Sequence, residues 1–187
     1  LLIFSLLCIN ANSQEQFNFD VTQIDIIEKG NTFIGTKRGI ITSNDGIVIE
    51  ADQFEYQKKL NILNASGNIK IIDRINNYEI YSDNITYDKN NNFLFTDKNS
   101  KALDFVNNIE ISADIFEYSI SKNIITAKKN AAIENKVENY KVESDEITYF
   151  RNKNKIFSKG KTIADIYSKY KFTSEDVTYL TTSKELS

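Results

Sequence analysis

Acidic residues recur along this chain at a nearly constant spacing. Asp52, Asp83, Asp114 and Asp145 lie 31 residues apart, and Glu175 follows in the next copy. Rows of carboxylates can bind metal ions or move protons in enzymes. Here each acid stands alone in its copy, and the chain contains no His to partner it. We therefore expect these acids to mark bends in strands, and we expect no catalytic residue, no metal and no cofactor.

The acids belong to a longer motif that reads apolar-x-small-acid-x-apolar-x-Tyr. The tyrosines that close the five copies are separated by 31, 31, 31 and 30 residues. A fixed period of this length is typical of an architecture built from stacked supersecondary units. The copies occupy residues 49–56, 80–87, 111–118, 142–149 and 172–179.

The spacing of apolar residues inside the motif predicts a bent strand. Ile49 and Ala51 share one face of a strand, whereas Phe54 and Tyr56 have the opposite parity. All four can face inward only if the strand shifts its phase by one residue near Asp52, as a β-bulge does. Repeated in every copy, the bend becomes a crease, and each strand contributes to two facing sheets.

A second element repeats in the same register and marks further bends. It consists of Gly67-Asn68, Lys98-Asn99, Lys129-Asn130 and Gly160-Lys161. Each period therefore holds two extended stretches, joined by Asn-rich connections in a chain without Pro. The β-branched and aromatic content agrees with strands. We predict an all-β fold of bent antiparallel strands in repeats of ~31 residues.

The composition argues against several functional classes. The formal charge is −3 and the sequence pI is about 5.2, so the cationic excess of a nucleic-acid binder is missing and we expect no nucleic-acid partner. Without His, the Ser-His-Asp and Cys-His arrangements cannot form. We expect that the protein is not an enzyme. The 187 residues suffice for the core of one medium domain.

The ends of the chain differ from the repeats. Residues 1–13 are apolar and then small and polar, which is typical of the remnant of a secretory signal peptide. We assign the repeat domain to residues 17–180. Residues 181–187 are expected to begin a following segment or to be a truncated end.

The motif resembles a known family. The small residue, acid and apolar-x-Tyr signature, followed by Asn61 to Ile69, is similar to the OstA/LptA family of lipopolysaccharide-transport proteins over roughly residues 17–180. The resemblance implies a β-jellyroll in the periplasm whose apolar interior receives the acyl chains of lipopolysaccharide. The order of signal segment, Phe17-Asn18-Phe19-Asp20 and repeats is most similar to the periplasmic N-terminal domain of the outer-membrane lipopolysaccharide assembly protein, which implies association with the outer membrane and a membrane barrel as partner if one follows.

The inward positions of the five copies are the candidate lipid-binding residues. An apolar lining can shield an acyl chain from water, and equal copies would offer similar sites along the stack. The same residues also suit a closed core filled by its own side chains, without a ligand. The candidates are Ile49, Phe54, Tyr56, Ile80, Ile85, Tyr87, Ile111, Phe116, Tyr118, Val142, Ile147, Tyr149, Phe172, Val177 and Tyr179.

Two other functions stay open at this point. The chain also suits a soluble periplasmic bridge protein of the same family. A structural β-solenoid or adhesin, in which each period is one coil of a parallel helix, would bind no lipid. Because a sheet built from repeats has an unpaired strand at each end, we expect pairing with other jellyroll proteins through edge strands.

Overall fold

The computed structural model describes residues 16–167 and 169–187, and the predicted signal-peptide remnant at residues 1–13 lies outside them. The described part of the chain contains no helix with the length and apolar character needed to cross a bilayer. Apart from two short 3-10 turns at Glu28–Gly30 and Arg151–Lys153, its regular structure consists of strands. The strands are β1 (Phe17–Val21), β2 (Asp25–Ile27), β3 (Thr32–Gly35), β4 (Gly39–Ser43), β5 (Ile47–Ala51), β6 (Gln53–Gln57), β7 (Ile62–Asp73), β8 (Tyr78–Asp88), β9 (Phe93–Asp104), β10 (Ile109–Ser119), β11 (Ile124–Asn135), β12 (Tyr140–Phe150), β13 (Lys155–Lys159), β14 (Thr162–Ile166), β15 (Tyr170–Ser174), β16 (Val177–Leu180) and β17 (Glu185–Leu186).

Within the described residues these strands form one 17-stranded sheet. Every pairing in it is antiparallel. The predicted all-β fold is therefore confirmed. The alternative of a parallel solenoid is wrong, because successive strands run in opposite directions.

The sheet is divided along its length by a crease, and we call the two sides half A and half B. The six long strands β7 to β12 cross the crease and belong to both halves, while short strands extend each half separately. Half A comprises β1, β4, β5, β14, β15 and residues 69–73, 78–82, 100–104, 109–113, 131–135 and 140–144. Half B comprises β2, β3, β6, β13, β16, β17 and residues 62–66, 84–88, 93–97, 115–119, 124–128 and 146–150.

The predicted shift of phase is present at the crease. In β8, Ile80 and Ser82 are buried before the crease, and Ile85 and Tyr87 are buried after it, with Asp83 between them. The pairing registers of β7 with β8 and of β10 with β11 shift at the same level. One extra residue per strand thus keeps both apolar stretches on the inner side.

Side-chain amides satisfy the acids at the crease. In the first three copies the acid accepts a hydrogen bond from the Asn 16 residues later, in the pairs Asp52–Asn68 (2.6 Å), Asp83–Asn99 (2.7 Å) and Asp114–Asn130 (3.0 Å). These three Asn residues have left-handed backbones, with φ of 44°, 52° and 52°, which Asn tolerates better than most residues. The acids therefore hold the bend, as the sequence indicated.

The crease changes in the last copies. Lys161 replaces the Asn, and its backbone N–H donates to Asp145 at 3.1 Å. In the final copy the crease acceptor is Asp176, which receives the N–H of Gly160 at 3.1 Å. The predicted position was Glu175. Its neighbour Asp176 makes this contact instead.

Turns join the strands at the two borders of the sheet that lie away from the crease. The A rim comprises the half A turns 44–46, 74–77, 105–108, 136–139 and the turn at 167 and 169. The B rim comprises the half B turns 28–31, 58–61, 89–92, 120–123, 151–154 and 181–184. Neighbouring turns of one rim are linked by backbone hydrogen bonds, such as Tyr167 N–H to Asn139 O at 2.7 Å and Lys89 N–H to Asn61 O at 3.0 Å.

Candidate functional site

The inner faces of the two halves enclose the predicted site residues. Phe172, on the terminal strand β15, is only partly buried against the core. The other fourteen are at most 4% exposed, and all of these except Val177 belong to one continuous apolar cluster. They are Ile49, Phe54, Tyr56, Ile80, Ile85, Tyr87, Ile111, Phe116, Tyr118, Val142, Ile147, Tyr149, Val177 and Tyr179. The interior is thus filled by side chains that pack against one another, and lipid binding by these residues stays a prediction.

Aromatic contacts at the N-terminal end show that the halves face each other. Phe17 and Phe19 lie on β1 in half A, whereas Phe33, Phe54 and Tyr56 lie in half B. The ring centroids of Phe17 and Tyr56 are 4.8 Å apart, and those of Phe19 and Phe54 are 5.6 Å apart. These distances are typical of packed aromatic pairs. Rings from both halves therefore close this end of the interior.

The two rims meet opposite the crease, and we call their line of contact the seam. At its centre the Tyr118 hydroxyl, near the B rim, donates to Asp73 Oδ2 at 2.7 Å next to the A rim. The Asn76 amide donates to the same hydroxyl at 3.0 Å. Asp73 is 1% exposed, so these bonds satisfy a carboxylate that would otherwise be buried without a partner.

The same arrangement recurs one copy later and adds a cation. The Tyr149 hydroxyl donates to Asp104 Oδ2 at 3.1 Å, and Asn107 donates to that hydroxyl at 2.9 Å. Arg151 on the B rim contacts Asp104 through Nε at 2.8 Å and Nη2 at 2.9 Å. The Asp104 side chain is fully buried and that of Arg151 is 11% exposed. Removing one partner of such a buried pair costs about 3–5 kcal/mol.

Arg151 connects several groups across the seam. Besides Asp104, its Nη1 donates to the Asn76 carbonyl on the A rim at 2.5 Å. Its guanidinium lies 4.9 Å from the ring centroid of Tyr78, close enough for a cation–π interaction. The Tyr78 hydroxyl is buried and has no hydrogen-bond partner among the described residues. This leaves the centre of the seam polar but incompletely satisfied.

Ion pairs hold the seam towards both ends. Near the N terminus, Asp45 on the A rim accepts from the Tyr87 hydroxyl at 2.9 Å and pairs with Lys89 of the B rim. Near the C terminus, Lys184 of the B rim contacts Glu138 of the A rim at 2.7 Å. The seam contacts therefore follow the full series of repeats.

The Asp45 carboxylate stays charged in this setting. Burial raises the pKa of Asp45, but hydrogen bonds from Lys89, Ser43 and Tyr87 outweigh it and hold the pKa below its usual value. A lowered folded-state pKa contributes stability above the ordinary Asp pKa of about 4, and that contribution is lost as the pH falls through the lowered value. The Asp45–Lys89 pair therefore stabilises this end of the seam at neutral pH.

The crease and the seam close the interior in different ways. Six strands cross the crease with continuous backbones, and ladder hydrogen bonds surround it. Across the seam, the contacts seen in the described part of the chain involve side chains on at least one side. The seam is therefore the side along which the halves can part without breaking strand pairing.

Sequence reasoning identified the closing tyrosines but not their acidic partners. Asp73 and Asp104 are 31 residues apart, and each lies 45 residues before its tyrosine. Each is also followed three residues later by an Asn in the turn, which donates to it. This Asp-x-x-Asn repeat is the signal that was available, although it does not reveal which tyrosine it meets.

Comparison with known proteins bears on the fold. No protein-family model and no curated protein sequence matches the chain. Among solved structures it is similar to LptH from Pseudomonas aeruginosa, described as the LptA-homologous periplasmic component of the conserved lipopolysaccharide transport device. The TM-score is 0.55 at 10% sequence identity, covering 60% of this chain and 82% of LptH. This similarity supports the predicted LptA-like β-jellyroll fold.

We expect the buried tyrosines to make the fold sensitive to alkali. Burial, together with nearby carboxylates, raises the pKa of Tyr87, Tyr118 and Tyr149 well above the usual value. Unfolded tyrosines ionise near pH 10, so the stability is fully present below about pH 10 and is lost as the pH rises further. In an alkaline titration, exposed tyrosines such as Tyr170, which is 65% exposed, should ionise gradually near pH 10. The tyrosinate absorbance of the buried tyrosines should appear in one cooperative step, together with the loss of the circular dichroism signal. Gradual ionisation of all ten tyrosines near pH 10 with unchanged circular dichroism would contradict this.

Proposed function

We propose that this jellyroll binds and conducts lipopolysaccharide, whose acyl chains enter the interior when the halves part along the seam. The observation that carries the proposal is the combination of a continuous apolar interior with a long side closed by side-chain contacts. The similarity to LptH in fold supports it.

The energies involved favour opening of the seam by a lipid. Burying a methylene is worth about 0.8 kcal/mol, so an acyl chain of about a dozen carbons gains on the order of 10 kcal/mol by leaving water. A hydrogen bond from a hydroxyl to a carboxylate, such as Tyr118–Asp73, contributes about 1.5–3 kcal/mol net. Even the Arg151–Asp104 pair, at about 3–5 kcal/mol, is smaller than the gain from one chain. A lipid can therefore offset the local loss of seam contacts.

The repeats would let a bound chain move along the interior. Phe116 and Tyr118 in one copy occupy the same positions as Ile147 and Tyr149 in the next, and all four are at most 1% exposed. Neighbouring copies thus offer sites of similar affinity. An acyl chain can move from one site to the next without escaping from a deep free-energy minimum. The arrival of a further lipid behind it sets the direction of movement.

Within this function we propose the periplasmic N-terminal domain of LptD, the outer-membrane lipopolysaccharide assembly protein. Residues 17–180 would form that domain, at the outer membrane, with residues 181–187 leading towards a membrane barrel. The second candidate is a soluble LptA-like bridge protein. Sequencing the reading frame beyond residue 187 distinguishes the two candidates. Several hundred further residues with alternating strand patterns would support the LptD assignment, and an early stop codon would contradict it.

The edge strands of the sheet are suited to pairing with other jellyroll proteins. β1 and β2 end the two halves on one side, and β15 and β17 end them on the other. Ile26 on β2 is 56% exposed and Tyr170 on β15 is 65% exposed. Unpaired strands with exposed apolar residues favour pairing with another strand. We expect crosslinks from β1 or β15 to a neighbouring jellyroll protein; crosslinks from the turns alone would contradict this pairing.

Photocrosslinking from inside the jellyroll tests lipid binding. A photoreactive amino acid at Phe116, which is fully buried on the inner face, should form an adduct with lipopolysaccharide. The matched control is Glu117, the next residue of the same strand, which lies on the outer face and pairs with Lys128. Adducts from position 116 and not 117 support the proposal. A folded protein that gives no adduct at 116, or equal adducts at both positions, would instead support a lipid-free scaffold with a filled core.

A further inference from the structure

The two rims that meet at the seam differ in charge. The B rim turns carry eight Lys or Arg and one acid, in a chain whose formal charge is −3. The A rim turns carry three Lys or Arg and two acids. Lys59, Lys122 and Lys153 of the B rim are exposed. Three of the eight, Lys89, Arg151 and Lys184, pair with acids across the seam. The others, including the exposed Lys59, Lys122 and Lys153, make the B rim a row of cations on an acidic protein.

The A rim carries exposed apolar residues at its tips. Ile75, Val106 and Val137 stand at the second position of successive four-residue turns and are 72%, 60% and 73% exposed. Phe105, next to Val106, is 57% exposed. On the B rim, the second position of every four-residue turn from 58–61 onward is polar, namely Lys59, Asn90, Ser121, Asn152 and Thr182. At this turn position the A rim is apolar in three successive turns and the B rim is polar, although Leu60, at the third position of the B rim turn 58–61, is also 54% exposed.

The geometry places both features on one edge of the molecule. Successive tips are two strands apart, about 9–10 Å, so the three tips form a row of about 20 Å. The rims touch along the seam, for example through Arg151 and the Asn76 carbonyl at 2.5 Å. The apolar tips and the cationic row therefore flank the same seam, and the crease lies on the opposite side.

We propose that this seam edge docks on the surface of an anionic lipid bilayer. The apolar tips insert between the headgroups, and the B rim lysines contact the headgroup phosphates. Exposed apolar side chains combined with cations are what binding to anionic membrane surfaces requires. A protein partner fits less well, because Asn pairs such as Asn76-Asn77 and Asn107-Asn108 separate the tips, so they form no continuous apolar patch. Docked in this way, the seam faces the lipid.

Vesicle binding tests the cationic row. The full chain is mixed with vesicles of phosphatidylcholine alone or of phosphatidylcholine with phosphatidylglycerol, and the bound fraction is measured by flotation. We expect binding to the anionic vesicles only, weakened by salt. The triple variant Lys59→Gln, Lys122→Gln and Lys153→Gln should bind at least about tenfold more weakly. Each lysine near an anionic membrane surface adds to the electrostatic attraction between protein and membrane. A control removes the same number of charges at the crease, by Lys98→Gln, Lys129→Gln and Lys159→Gln, and should bind as the parent does.

A second variant tests the apolar tips. Ile75→Asn, Val106→Asn and Val137→Asn together place on the A rim the residue that the B rim carries at the same turn position. Because these side chains are mostly exposed, the fold should keep its circular dichroism and melting temperature. Binding to anionic vesicles should fall about tenfold without any change of net charge. Equal binding to zwitterionic vesicles, equal loss in the crease control, or no loss in either seam-edge variant would overturn the proposal.

Discussion

The whole architecture depends on one constraint on side-chain direction, which is the phase shift of each strand at the crease. A strand alternates its side chains between two faces, so two apolar stretches of opposite parity cannot both face inward on a regular strand. The extra residue beside each crease acid removes this conflict, and the Asn amides at Asn68, Asn99 and Asn130 satisfy the carboxylates at the bends. With both stretches facing inward, the halves must cover each other, and a common interior follows.

Among the residues that the structure describes, the seam closes that interior through side-chain contacts and not through strand pairing between the two halves. Tyr118 and Tyr149 bury their rings in the core and present their hydroxyls to Asp73 and Asp104 at the border. Each contact is modest, because a hydrogen bond exchanges protein partners for water. A closure of this kind excludes water from the apolar side chains, yet it can open locally. A strand pairing at the same place would be far harder to separate.

Much of this architecture could be predicted from the sequence, because it rests on local patterns repeated many times. Parity within each copy identified the buried positions from Ile49 to Tyr179 and the bend between them. The pairing of Asp73 with Tyr118 and of Asp104 with Arg151 could not be predicted in this way. These contacts join residues of different halves that are 45 or 47 positions apart in the sequence. They depend on how closely the two halves of the sheet approach each other. The distance between the halves also decides whether side chains fill the interior. The periodicity of the sequence does not predict this distance. Phe172 follows the pattern but is only partly buried, because β15 ends its half and no further strand covers it.

In the proposed function, bound lipid separates the halves along the seam, and the halves stay joined at the crease. Spin labels at Phe105 on the A rim and Lys153 on the B rim, which belong to the turns beside the Asp104–Arg151 pair, measure the distance across the seam by pulsed electron paramagnetic resonance. A second pair at Lys98 and Lys129 reports on the crease. On addition of lipopolysaccharide, the distance across the seam should lengthen and broaden while the crease distance stays the same. An unchanged distance across the seam in protein shown to have bound lipopolysaccharide would contradict the account.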